Sequence, residues 1–217
     1  MMNYVVMMST NIMAKANRVY KTKVPVTKNQ QVEAEVVDIT YQGMGVIKID
    51  NFPIFVIDAI PGEVVQVGIT KVLKSYAFGR VIKRVKASPN RAENVDKVAI
   101  TTGIAPLANL KYEAQLTFKQ RQVEQLFKKV NVSVEVNPTI GMTDPTKYRN
   151  KAQVPVQMVN GQLETGFYRR GSHKLMPVED FYIQDPKVDE AVSVTRDVLR
   201  DLGISAYDEE THRSEER

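Results

Sequence analysis

The residues best suited to chemistry in this chain are cations set among aromatics. Between Lys71 and Arg91 stand seven basic residues (Lys71, Lys74, Arg80, Lys83, Arg84, Lys86 and Arg91) and no acid, with Tyr76 and Phe78 interleaved. Lysine and arginine neutralise phosphates and release their counterions, which gives affinity with little choice of sequence. Aromatic rings add a platform for stacked bases. Lys74, Tyr76, Arg80, Lys83 and Arg84 are therefore candidate nucleic-acid contacts. The competing reading is a solvated strand whose aromatics belong to the core. A second group is the run Lys147-Tyr148-Arg149-Asn150-Lys151-Ala152-Gln153. Arg149 there can clamp a phosphate bidentately or stack on a base, and its alternative is a salt bridge to Asp144. Lys151 lies on the same stretch, where strand alternation lets only one set of side chains face a ligand. A third group is the cationic turn Arg169-Arg170-Gly171-Ser172-His173. Arg169, Arg170 and His173 are candidate contacts, since a lone histidine is more often a hydrogen-bonding loop residue than a catalyst.

Composition closes off other chemistries. The 217 residues contain no cysteine and two histidines, His173 and His212. Disulfides, thiolate metal sites, cysteine-ligated clusters and a cysteine nucleophile are excluded within this sequence, and a zinc site is not expected. No disulfide-linked partner is expected. No apolar run approaches the roughly 18 residues of a membrane span, so no membrane is expected and a cytoplasmic location follows by default. Met1–Met8 is short, apolar and lacks a basic lead, unlike a signal peptide. Met13 opens a more usual start, Met-Ala-Lys-Ala-Asn-Arg, so the true start codon stays open. Gly43-Met44-Gly45 has the look of a phosphate loop but no helical pattern follows, so a sheet bend is expected. The net charge of +5 hides a polarity: Glu179–Arg217 carries 12 acidic and 5 basic residues, which leaves +12 on the remainder. A basic body fits an anionic partner.

These candidates need elements to position them. Residues 1–26 read as a flexible lead-in. From Gln31, short β-rich runs alternate with turn residues: Val32–Ile39, Val46–Ile49, Ile54–Val56, Val64–Ile69 and Tyr76–Ile82. Five short strands within about 55 residues are expected to close into a small OB-like barrel, at 27–87, because closure removes exposed edges. Ser88-Pro89-Asn90 marks a boundary. A second unit at 92–203 is expected to be a small α+β domain. It opens on a mixed loop to Leu110, then a helix over Tyr112–Lys129 with Leu116, Val123, Leu126, Phe127 and Val130 near one face. Strands follow at Val132–Val136, Lys151–Met158 and Gln162–Tyr168, the last two joined at Asn160-Gly161. Asp185-Pro186 starts a helix over Lys187–Leu202, which Gly203 stops. The fold class is thus α+β, mainly β, with 204–217 as a linker. The acids Asp208, Glu209 and Glu210 read as a solvated tail rather than a metal site.

The β-rich segment resembles a TRAM domain, an OB-like RNA-binding module. Leu110-Lys111-Tyr112-Glu113-Ala114-Gln115-Leu116-Thr117-Phe118-Lys119 resembles the stretch that follows TRAM in RNA uracil-5-methyltransferases. Tyr148–Gln153, Gly166-Phe167-Tyr168, Ser172-His173-Lys174 and Tyr207-Asp208-Glu209-Glu210-Thr211-His212 continue the similarity in order. It covers about residues 26–213 and looks most like the Gram-positive 23S rRNA branch. The resemblance implies transfer of a methyl group from S-adenosylmethionine to C5 of a uridine in ribosomal RNA. In that family a cysteine thiolate adds to C6, and the target base leaves its stack. Those parts lie in a Rossmann-like domain beyond the matched region. The match stops at Arg213, where Ser214-Glu215-Glu216-Arg217 departs from the family's continuation, so the chain is expected to be truncated, with no catalytic residue, no bound cofactor and no activity alone. Relatives that hold a [4Fe–4S] cluster place cysteines at positions matching Asp96, Thr102, Ala105 and Phe181. No iron–sulfur cluster is expected, and packing by Ala105-Pro106-Leu107 and Phe181 is expected in its place. The alternative from another class is a stand-alone RNA-binding or ribosome-associated adaptor.

Overall fold

The computed structural model describes residues 24–208. The remainder of the expected lead-in and the acids from Glu209 onward lie outside the described residues. The first unit is a six-stranded sheet of β1 (Gln31–Glu35), β2 (Asp38–Ile39), β3 (Met44–Ile49), β4 (Phe52–Ile57), β5 (Val64–Val72) and β6 (Ala77–Lys86). The strand order is β1-β5-β6-β4-β3-β2. The two edge strands are consecutive in the chain, so the sheet curls back on itself. Five strands were expected and six are present because the first run bends. Val36 donates its N–H to Glu63 O and Val37 donates to Val46 O, which hands the chain from β5 to β3.

Strand alternation builds the core. In β5 the residues Val65, Val67 and Ile69 point inward, and Val64, Gln66 and Gly68 are only half-buried. Ile54 and Val56 of β4 and Ala77 of β6 join them, with Ile47 and Val36. Each fully buried Val or Ile contributes about 1.5–3 kcal/mol. Val24 and Val26 also pack against this core, so the expected lead-in is fixed at its end. Asp50 and Asn51, at φ 48° and 61°, make the tight turn of the β3–β4 hairpin, since short polar side chains tolerate left-handed backbone.

The second unit begins at α1 (Lys97–Thr102), capped by Asp96, whose carboxylate accepts from the N–H groups of Val98 and Ala99. This helix was not expected. At six residues it is too short to show periodicity, and the cap is its sequence mark. The helix expected over Tyr112–Lys129 is present as α2 with those bounds. A three-stranded sheet follows: β7 (Val156–Val159), β8 (Gln162–Tyr168) and β9 (Leu175–Pro177). Asn160 and Gly161, at φ 53° and 83°, turn β7 into β8 as expected. Then α3 (Pro186–Asp201) packs on β8, one residue ahead of its expected bounds.

Two expectations on this unit are corrected, and one strand is added. Val132–Val136 forms no strand. The segment after α2 is tied to the helix instead, through Gln120 Nε2 to Val136 O and Thr139 Oγ1 to Leu116 O. β-branched residues make a strand only where a partner strand exists. Lys151–Met158 pairs only from Val156, just past Pro155, which has no N–H to donate to a ladder. β9 was not foreseen, because Leu175-Met176-Pro177 is too short to alternate.

Two contacts lock the units together. Gly43 sits at φ +73°, and an added Cβ would lie 1.7 Å from Pro106 O, so only glycine lets the β2–β3 loop approach so closely. On another side of the junction, Ile39 and Ile60 share a cluster with Leu107, Leu110, Ala114 and Phe118. Gly43 thus serves as a bend and a packing point, and β3 rather than a helix follows it.

Candidate nucleic-acid interface

Alternation decides which side chains of the basic strip reach solvent. Ala77 and Gly79 face the core of the curled sheet, so Phe78 and Arg80 face out. Phe55 lies opposite Phe78 in the parallel β4–β6 pairing. Tyr76 stands edge-on to both rings at 5.5 Å, and Phe55 and Phe78 lie 6.0 Å apart. The aromatics of the strip therefore form an outer-face cluster rather than core. Lys71 pairs with Phe78 across β5–β6, and Lys74 is exposed on the turn before Tyr76. Lys83 is exposed opposite Gln66.

Arg84 and Arg91 are drawn elsewhere. Glu63 has no exposed surface, and its carboxylate lies 2.8 Å from Arg84 Nε and 2.6 Å from Arg91 Nε. The first is an ion pair without a hydrogen-bond angle; the second is a hydrogen bond. Arg91 also donates to Asp58 Oδ1 and the Asp58 carbonyl, and Arg84 to that same carbonyl. Burial alone would raise the Glu63 pKa. The Arg91 hydrogen bond, the Ile60 N–H and the attraction of both guanidiniums outweigh burial and hold it below the ordinary value. Burial would lower Arg91, and the hydrogen bonds it donates to Glu63 and Asp58 raise it instead. Part of the strip's positive charge is thus balanced by acids from the turn at 58–63, and the sequence reading missed those partners. Glu63 interrupts an apolar stretch directly before β5, which is the one mark they leave in the sequence.

Arg170 stands in the opposite condition. It is half-buried, and burial depresses its pKa, with no acid among the described residues to offset it. Its guanidinium lies over Gly103, the left-handed C-cap of α1, where a Cβ would meet Arg170 Nε at 2.4 Å. Its own N–H donates to Thr101 O. Arg170 and Arg80 line one groove, of about 950 Å³, with Lys71, Tyr41, Phe55 and Phe78. Tyr41 was not singled out from the sequence; it stands in a loop with no periodicity to mark it. Phe55 was legible in principle, as the outward residue between Ile54 and Val56.

The remaining candidates are placed apart from this groove. Arg149 is exposed, and its Nε donates to Lys151 O at 2.7 Å. Asp144 is engaged by the N–H and hydroxyl of Thr146 rather than by Arg149. Arg149 sits in an isolated bridge outside any strand, its N–H donating to Ile183 O and its carbonyl accepting from Asp185 N–H, beside Lys147, which pairs with Asp180 and Asp189. Lys151 is exposed. Arg169 and His173 are exposed on the turn before β9, and the His173 ring meets Tyr168 edge-on at 6.4 Å. Of the positions matched to cluster cysteines, Asp96 caps α1 and the Thr102 hydroxyl donates to Val98 O. Ala105 packs on Ala99, Ile100 and Ala108, and Phe181 is buried against Phe167 at 5.1 Å. Among the described residues no group of three or more His, Asp or Glu is placed to hold a metal, and no helix is long and apolar enough to cross a membrane.

Comparison with known proteins agrees with this layout. Residues 25–82 match the TRAM domain model. A protein of Lactiplantibacillus plantarum named an uncharacterized RNA methyltransferase is 54% identical over 193 residues, 88% of this chain and 42% of that protein. Similarly named proteins of Enterococcus faecalis and Streptococcus agalactiae are 45% and 48% identical over 85% and 84% of this chain, each match covering 41% of the relative. The chain spans about two fifths of the length of these curated relatives. Among solved structures, the Pyrococcus abyssi tRNA (uracil-54, C5)-methyltransferase in complex with S-adenosyl-L-homocysteine aligns with a TM-score of 0.54. The alignment covers 83% of this chain and 40% of that one at 18% identity, a likeness of fold.

Proposed function

We propose that this chain is the RNA-binding portion of an S-adenosylmethionine-dependent RNA uracil-5-methyltransferase acting on 23S rRNA. It would hold RNA through two units, an OB-like TRAM barrel at 27–87 and an α+β domain at 92–203. The observation that carries the reading is the outer face of β4 and β6, where Phe55, Tyr76 and Phe78 cluster beside Arg80 and Lys71. Outward-facing aromatics flanked by cations are what a protein needs to track a backbone and hold bases. The TRAM match over those strands and the similarity to RNA methyltransferases support it.

S-adenosylmethionine is the methyl donor in this proposal. Among the described residues no strand, glycine turn and helix follow one another as a seat for it, so no donor site is assigned to them. Their part is to bind and orient RNA. Lys74, Arg80 and Lys83 supply phosphate contacts along the sheet; Arg149, Lys151, Arg169, Arg170 and His173 extend the surface across the second unit.

Titrating the chain with labelled fragments of 23S rRNA and with tRNA, at several salt concentrations, tests the reading. Binding of an rRNA fragment well above tRNA, with a steep salt dependence, is expected. Preference for tRNA would reassign the substrate, and no binding to either would overturn the proposal.

A further inference from the structure

The groove at the junction of the two units has walls of different chemistry. One side carries Tyr41, Phe55 and Phe78; the other carries Arg170 over the end of α1; Arg80 and Lys71 stand along it. Its lining includes three cations and no acid. Among the described residues no carboxylate pairs with Arg170, although the acids at the same junction pair with Arg84 and Arg91. A half-buried guanidinium left without an anion loses hydration with nothing in return, unless a ligand supplies the charge. The walls are also fixed in advance. Gly43 against Pro106 sets their spacing at one rim, and Gly103 seats Arg170. A preformed site avoids the ordering cost of binding.

We infer that this groove seats one unpaired nucleotide of a single-stranded RNA segment, its base on Tyr41 and Phe78 and its phosphate on Arg170 and Arg80. The inference rests on the RNA-binding reading above and sharpens it. Paired bases bury their faces in the duplex stack, so an aromatic wall selects nucleotides whose faces are free. The cations alone would accept any phosphate chain. The two together distinguish an unpaired base from both a duplex and a bare backbone.

Fluorescence anisotropy on the full chain can separate these terms. The probes are oligouridine of about eight nucleotides, an abasic oligomer of equal charge, and a duplex of equal length. The wild-type chain should bind oligouridine roughly tenfold more tightly than the abasic oligomer. Tyr41→Ala and Phe78→Leu should close that gap and leave abasic binding unchanged. Arg170→Gln should weaken both. Tyr41 is 71% exposed, so its replacement leaves the fold intact even if Phe78→Leu does not. A measurement without substitution stands beside these: oligomers carrying 4-thiouridine, irradiated on the wild-type chain, should crosslink to peptides containing Tyr41 or Phe78. Equal binding of oligouridine and abasic oligomer, an unchanged gap in Tyr41→Ala, or crosslinks confined to other peptides would each overturn the groove while leaving RNA binding in place. Failure of every probe to bind would overturn the RNA-binding reading itself.

Discussion

Arg91 Nε lies 2.6 Å from a carboxylate oxygen of Glu63, a residue with no exposed surface, and the pair joins the start of β5 to the first residues after the curled sheet. Glu63 also accepts from Ile60 N–H, so its two oxygens are held from several directions. The pair ties the two units at the level of single atoms.

Removing Arg91 takes two hydrogen bonds from Glu63 and leaves the carboxylate to Arg84 and the Ile60 N–H. Arg91→Met is therefore expected to cost about 1.5–3 kcal/mol, the loss of charged hydrogen bonds rather than of all compensation. Denaturant melts read by circular dichroism check this, and a loss under about 1 kcal/mol would show that water reaches Glu63 in the folded chain.

The same carboxylate sets an acid limit. Its folded pKa lies below the ordinary glutamate value, so the stability it contributes is present above that value and is lost as pH falls through the folded pKa. Stability measured from neutral pH downward should therefore decline below roughly pH 4 more steeply in the wild type than in Glu63→Gln. Parallel curves for the two would remove Glu63 from the acid transition.

Neighbouring cations should behave differently. Lys83→Ala, at an exposed position, is expected to leave the melting temperature unchanged and to flatten the slope of log affinity against log salt by roughly 0.7 to 0.9. Arg84→Ala should lower stability by about 1.5–3 kcal/mol, since Asp58 and Glu63 lose a charged partner. If Arg84→Ala flattens the salt slope as much as Lys83→Ala and melts normally, Arg84 is a phosphate contact.

Arg149 offers a third behaviour. It is exposed and free of Asp144, so Arg149→Ala should narrow the difference between a cognate rRNA hairpin and a scrambled one by about 1–3 kcal/mol. Equal weakening of both hairpins would make it one more phosphate contact. A lowered melting temperature without any binding change would make it structural.

Gly43 can be tested without RNA. Alanine there incurs about 1–2 kcal/mol of left-handed backbone strain, before any displacement of Pro106. A fall in the denaturant midpoint larger than that of Gly171→Ala, where a Cβ meets nothing within 4 Å, is the expected result.

Much of the sheet was legible because alternation in Val64–Ile69 and Ile54–Val56 is itself the signal that makes one face a core. The helix over Tyr112–Lys129 was legible for the same reason at a longer period. What escaped reading is pairing across distance. Nothing in Lys83-Arg84-Val85-Lys86 says that Arg84 turns back to Glu63 while Lys83 stays in water. Val132–Val136 carries every local mark of a strand and lacks only a neighbour. Of the candidate site, the cations and the aromatic strip were found from composition. The groove was not, because Tyr41, Phe78 and Arg170 lie in three different stretches of chain that only the Gly43–Pro106 contact and the α1 cap bring to one place.

The bend at Val36 and Val37 carries a consequence for the order of assembly. The β3–β4 hairpin needs only its own turn, and its contacts are local. Gln31–Glu35 has no partner until Val64–Gly68 has been made, and β6 must then join β5 to β4. During synthesis the first strand therefore waits, solvated, while the hairpin forms behind it. Its Gln31, Glu33 and Glu35 keep that waiting edge polar, which guards a nascent chain against pairing with its neighbours on a crowded polysome.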